Sequence, residues 1–255
     1  GMLRHTLVTA VRLLCLSISV LVAQDVPVPI LSTVDDKSLP SARERSLLQL
    51  GQQAQEAGLS SSAIQLFSEV VASKNATAIE KNAAQLGLAT SLIERNKTAE
   101  AKLAIKILPE SSSKNLLSGL IAFLENDLIT AGEISEKMNV ASLSPAEVPW
   151  FHTLKALIAN AKFDNNQFNN HLNLAKQSAL SEEQQQRIQV LCYRASVISG
   201  KINDSVINAL RDVVKNNKNP DFTFAHQRNL ALALVRQDKK NEALSILKNL
   251  ENLKL

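Results

Sequence analysis

The chain has 255 residues, 45% hydrophobic but only 4% aromatic, with seven Gly and seven Pro. A sizeable core must therefore come from Leu, Ile, Val and Ala on long helices joined by short turns, which excludes a sandwich or a barrel. The formal charge of +4 rests on 28 Lys+Arg against 24 Asp+Glu, too weak a basic balance for a nucleic-acid footprint.

In chain order, Gly1 before Met2 is an expression scar and is set aside. Arg4 and Arg12 then lead into the apolar run Leu13 to Ala23. A basic stretch before a short apolar core is the pattern of a secretory signal peptide over residues 1–23. An uncleaved anchor and a cytosolic start are the alternatives; the uninterrupted run is well short of the ~20 residues that span a bilayer. Cys15 sits inside the apolar core with no lipobox before it, which argues against a lipid anchor. Loss of the segment removes Arg4 and Arg12, leaving 26 basic against 24 acidic residues, or +2. It also leaves Cys192 as the only thiol, so no internal disulfide can form. Cys192 lies in the helical run IQVLCYRASVI and is expected to be a small core residue, not a reactive thiol. Residues 24–40, with Pro27, Pro29 and Pro40 and no helical period, form a linker.

Ser41-Ala-Arg-Glu44 is a capping box that opens the folded body, residues 41–255. Six helical hairpins follow. A small-residue slot in each second helix falls at Ala63, Ala99, Ala131, Phe168, Val206 and Ala243. The matching slot in each first helix falls at Gly51, Gly87, Gly119, Ala156, Arg194 and Ala231. Both series advance in the same steps, which is stronger than either alone. Small residues there allow two helices to approach closely, and a larger residue four further on (Phe67, Leu103, Leu172, Leu210, Leu247) fills the space toward the next repeat. Turn signals separate the helices: Gly58-Leu-Ser60, Asn96-Lys-Thr98, Asn126-Asp127, Asp164-Asn165-Asn166 and Lys239-Lys240-Asn241. Between hairpins, Ser144-Pro145-Ala-Glu147, the capping box Ser181-Glu-Glu-Gln184 and Asn219-Pro220-Asp221 mark helix boundaries. No alternating apolar run is long enough for a strand.

The run Leu50-Gly51, Ala54, Gly58, Ala63, Phe67, Val70 recurs as Leu86-Gly87, Thr90, Glu94, Ala99, Leu103 and again as Leu230-Ala231, Leu234, Asp238, Ala243, Leu247, Leu250. These residues resemble the tetratricopeptide repeat family. The resemblance covers residues 41–255 and is clean in the first, second and sixth hairpins. In the middle Ser135 stands where the family has a large apolar residue, and Arg194 where it has a small one. The resemblance implies an all-α, right-handed superhelical solenoid of about six antiparallel hairpins, with a concave groove lined by the first helices. Carried onto this chain, the lining comprises Arg45, Gln52, Lys81, Leu88, Leu116, Leu120, Phe123, Trp150, Leu157, Asn160, Arg228 and Arg236. It is polar and basic at its start, apolar in the middle and basic again at its end. The Lys, Asn and Arg set with which chaperone-binding relatives clamp a terminal carboxylate is absent. Two readings of the apolar middle stand: a groove for a partner's helix or extended segment, or core filled by a tight superhelix. Trp150 is assigned to core or boundary ahead of a binding hot spot.

Catalytic chemistry leaves no trace in the sequence. His5, His152, His171 and His226 lack zinc-ligand spacing, the glycines stand singly and form no phosphate loop, and no nucleophile elbow occurs. The acidic residues are expected on solvated helix faces and turns. The sequons at Asn75, Asn96 and Asn203 matter only in a eukaryotic source. The expectation is a non-catalytic protein–protein interaction scaffold of the cell envelope, periplasmic or secreted. No enzyme activity, cofactor, metal or nucleic acid is expected, and membrane contact comes only through an uncleaved N-terminal segment. Two alternatives remain: the superhelical portion of a larger envelope protein, such as a peptidoglycan-acting enzyme, and a solenoid that self-assembles through its uncapped C-terminal hairpin.

Overall fold

Twelve α-helices and one 3₁₀ turn account for all regular structure among the described residues, 42–199 and 202–252 of a computed structural model. The signal segment, the linker and the Ser41 cap lie outside those residues. In chain order the helices are α1 (Ala42–Glu56), α2 (Ser60–Ala72), α3 (Ala78–Glu94), α4 (Thr98–Lys106), α5 (Ser112–Leu124), α6 (Leu128–Lys137), α7 (Val148–Ala161), α8 (Asn165–Ser178), α9 (Glu182–Ser199), α10 (Asp204–Asn216), α11 (Pro220–Arg236) and α12 (Lys240–Asn252). The odd-numbered helices form an inner row in which each packs on the next, from α1 to α11. The even-numbered helices cover that row from outside, each packing on the first helix of the following hairpin. The chain is thus an all-α, two-layer helical repeat.

One turn geometry recurs and sets the true register. Gly58, Asn96, Asn126, Phe163 and Asp238 all have positive φ, between 58° and 83°. Each is followed by an amide that donates back five residues: Leu59 N to Ala54 O, Lys97 N to Leu92 O, Asp127 N to Ala122 O, Asp164 N to Ala159 O and Lys239 N to Leu234 O. This is the Schellman closure, in which a left-handed residue satisfies the last orphan carbonyls of a helix. The residue after it opens the next helix. Asp127 and Asp164 also accept side-chain hydrogen bonds from the Thr130 and Gln167 amides, as does Asn203 from Val206 at the start of α10.

Counting from these cap residues corrects the sequence register in two places. Eight residues before each cap stand Gly51, Ala89, Gly119, Ala156, Ala195 and Ala231; four after stand Ala63, Ala101, Ala131, Phe168, Ile207 and Ala243. Ala89 and Ala101, both fully buried, therefore occupy the second hairpin's slots, while Ala99 is exposed. Ala195 and Ile207 replace Arg194 and Val206 in the fifth. All six first-helix slots are then Gly or Ala. In the second hairpin the slip arose because the doublet Leu86-Gly87 imitates Leu50-Gly51 two residues ahead of the true slot. For the same reason Ile105, not Leu103, fills the space toward the next repeat, and Leu103 is 69% exposed. Gly87 keeps a separate role: a Cβ there would lie 2.5 Å from Phe67 Cζ, so the glycine admits the ring of the preceding hairpin. Ser135, the departure from the family pattern, is buried.

The predicted caps elsewhere hold with two changes. Ser181 accepts from the Gln184 amide, and Gln184 Oε1 accepts from Leu180 N, so the cap before α9 forms with its return bond one residue ahead of the box position. Asn219 accepts from the Asp221 amide at the head of α11. In the third boundary, Ser144 N and Oγ both donate to Glu147 Oε1 one turn ahead of α7, and Pro149, not Pro145, occupies the first helical turn.

Candidate functional site

The apolar middle of the expected groove is interior. Leu116, Leu120, Trp150 and Leu157 are each at most 7% exposed. Leu88 on α3, Phe123 on α5 and Leu191 on α9 are half-buried and pack against the same cluster that holds Leu116 and Leu120. Inner-row helices of three different hairpins thus meet over one core. The row curls until its concave face fills itself, and these residues are corrected from groove lining to core. Asn160 and Arg228 are also buried. Arg236 is exposed, but its Nη1 donates to the Val197 and Ile198 carbonyls at the C-terminal end of α9. A guanidinium there satisfies orphan carbonyls and complements the negative helix end, so Arg236 joins α11 to α9. Of the basic start, Arg45 and Gln52 are exposed and Lys81 is half-buried.

A polar clasp closes the curl, joining α9 to residues roughly 90 to 130 positions earlier. Arg187 on α9 lies 3.2 Å, by Nε, from Glu94 Oε2 at the end of α3, and its Nη2 donates to Gln55 O in α1. Ser181 Oγ donates to Glu56 O, and Ser60 Oγ donates to Glu94 Oε2. Gln55 Nε2 in turn donates to Gly87 O and Ser91 Oγ, tying α1 to α3. The Glu94 side chain is 5% exposed and that of Arg187 16%. Burial pushes the Glu94 carboxyl above the usual carboxylate range, against the opposing pull of Arg187 and Ser60. Gly58 sits under the guanidinium: a Cβ there would meet Arg187 Nη1 at 2.2 Å, and its φ of +83° already favours glycine.

Sequence reasoning placed the acids on solvated faces, and Glu94 and Glu44 are exceptions. Glu44 is buried, with Oε1 accepting from Ser73 Oγ at 2.6 Å. No local pattern marks Glu94 or Arg187, because their meeting depends on the curl of five hairpins. Cys192 is fully buried in the second core cluster, and burial pushes its thiol up to about 12, as a core cysteine requires.

Large apolar side chains are exposed on both rows: Ile79 on α3 and Ile198 on α9 in the inner row, and, on the outer layer of two successive hairpins, Leu103 on α4, Ile107 at its C-cap and Ile129 on α6, at 69, 73 and 77%. Among the described residues no group of three or more His, Cys, Asp or Glu side chains is placed to hold a metal. A two-histidine pair does form between α7 and α8: His152 Nδ1 and His171 Nδ1 lie 3.1 Å apart.

No family model matches the sequence, and no curated protein does. Among solved structures, the chain is similar to the amino-terminal domain of E. coli LpoA at 15% identity, over 86% of this chain and 87% of that one, with a TM-score of 0.40.

Proposed function

We propose that this chain is a non-catalytic protein-interaction scaffold of the cell envelope, periplasmic or secreted. The observation that carries the reading is the exposure of large apolar residues on the outer layer of two successive hairpins: Leu103 on α4, Ile107 at its C-cap and Ile129 on α6. Large apolar side chains left in water on neighbouring repeats favour a contact with another protein. A repeat stack supplies an extended surface for that purpose. The partner is a protein offering an apolar helix or extended segment, held from outside and not in a central groove. The envelope assignment rests on the basic and apolar segment Arg4 to Ala23.

Cross-linking of the full chain in its native envelope, followed by capture and mass spectrometry, tests this. A Leu103→Asp, Ile107→Asp pair should reduce capture of the major partner at least tenfold while far-UV circular dichroism stays unchanged. Unchanged capture by that folded variant would remove the outer face from consideration. A Leu120→Asp change does not discriminate, since Leu120 is 2% exposed and a charge there tests folding. Light scattering over a wide concentration range separates a foreign partner from a second copy.

A further inference from the structure

Hairpin four carries a pair of imidazoles arranged for a cation that nothing else in the fold uses. His152 on α7 and His171 on α8 face each other through like atoms, Nδ1 to Nδ1, at 3.1 Å. Their rings are near parallel, with an interplanar angle of 26° and centroids 5.4 Å apart. Both side chains are half-buried, so solvent reaches the pair. The two backbones beneath them are fixed. Phe151 and Thr153, on either side of His152, are buried, and the Phe151 ring meets the His152 ring edge-on at 5.2 Å. On α8, Leu172 beside His171 is buried, and so is Phe168 one turn earlier. Rigid elements holding two ligands at a set distance are what a metal site requires.

We infer that His152 and His171 form a two-histidine site for a divalent late transition metal, Cu²⁺, Ni²⁺ or Zn²⁺. Neutral imidazole nitrogen is the ligand these ions share. At metal–nitrogen distances of about 2.0–2.1 Å, two nitrogens 3.1 Å apart subtend about 100° at the ion, between a square corner and a tetrahedral one. The ion sits off the N–N line, and each ring reaches it by turning within its broad χ2 well. Both rings are held in the neutral form, chiefly by burial, with Lys155 adding to the effect on each. In the free protein one ring donates its Nδ1–H to the other. On binding, that proton moves to Nε2 of the same ring and both Nδ1 lone pairs go to the metal. With no third ligating side chain in reach among the described residues, water or a partner's side chain completes the coordination. Lys155 is the opposing charge; burial pushes its ammonium below the usual lysine range, with Glu136 on α6 acting against that and Lys162 adding to it.

Equilibrium dialysis of the chelator-stripped full chain against each ion at neutral pH tests the site. One ion should bind per chain, most tightly for Cu²⁺. His152→Ala and His171→Ala should each weaken binding at least tenfold, Lys155→Gln should tighten it several-fold, and His5→Ala and His226→Gln should leave it unchanged. The electron paramagnetic resonance of the Cu²⁺ form should show coupling to two imidazole nitrogens in the unaltered protein, a readout independent of how the variants fold. Binding that survives both histidine substitutions, a signal without imidazole coupling, or no saturable binding would overturn the inference and leave a hydrogen bond only.

Discussion

Replacing Gly87 with alanine probes the closest packing in the fold. Phe67 is fully buried between two glycines of neighbouring first helices. A Cβ on Gly87 would lie 2.5 Å from Phe67 Cζ and 2.6 Å from Cε2, and one on Gly51 would lie 2.7 Å from Cε1. Ordinary carbon contacts need about 3.5–4 Å, so the ring must retreat by roughly an ångström, and Gly51 blocks the other edge. Overpacking of this kind costs about 1–3 kcal/mol. The better helix propensity of alanine returns up to about 1 kcal/mol, leaving Gly87→Ala destabilised by about 1–2 kcal/mol. In a Phe67→Leu background the ring is gone and only the propensity gain remains. The same glycine substitution should then be neutral or stabilising, a coupling of about 2 kcal/mol between the two positions. Urea unfolding of the four proteins, followed by circular dichroism at the helix band, gives the cycle. Equal costs of Gly87→Ala in both backgrounds would refute the reasoning, as would a Gly87→Ala protein as stable as the parent.

Three further outcomes follow from buried groups. Arg187→Ala strands the buried Glu94 carboxylate and should cost about 3–5 kcal/mol, while the Arg187→Met, Glu94→Gln double variant should recover most of it; chemical denaturation checks both. The His226 imidazole is fully buried, with Nε2 2.6 Å from Gln186 Oε1, and burial pushes it down to about 4 from 6.5. A base with a depressed native pKa binds fewer protons folded than unfolded, so its stability contribution is present above pH 6.5 and is lost as pH falls toward 4, by up to roughly 3 kcal/mol. His226→Gln should flatten that part of the stability–pH curve. Cys192, with its thiol pushed up to about 12, should resist aromatic disulfide reagents at about pH 8 in the native protein and react at once in denaturant.

Much of this architecture was legible because helical repeats write local rules. Gly58, Asn96 and Asp238 announce the turns, and Asp127, Asp164 and Asn203 the caps, through chemistry confined to a few residues. Register was less secure where a second small residue stood near the slot. In α3 the glycine at 87 imitates the slot residue, yet it serves Phe67 of the previous hairpin, and the true slot is Ala89. A pattern of small residues records that something approaches closely, not what approaches. Phe163 gives no turn signal of its own, since a bulky residue with a φ of 59° is the opposite of what turn chemistry favours, and its turn is legible only from Asp164-Asn165-Asn166 beside it. Burial on the concave side was the least legible, because it depends on curvature summed over hairpins.

That curvature decides where a partner can bind. The contacts between α9 and the α1–α2 turn are polar and few, but they sit on the rim of a core to which α3, α5 and α9 all contribute. Opening the rim would expose Leu88, Phe123 and Leu191 together with the cluster beneath them. The cost is then apolar area re-wetted, plus a buried carboxylate separated from its guanidinium. A ligand seeking the concave face must exceed that sum before it gains any affinity, because a bound state of low intrinsic population weakens apparent binding by the same factor. The outer residues Leu103, Ile107 and Ile129 carry no such penalty, since they are already in water. A partner that buries them gains hydrophobic free energy from its first contact. On the proposed function, a closed curl turns this repeat inside out as a binding surface: the inner row supplies rigidity, and the outer layer offers the contact.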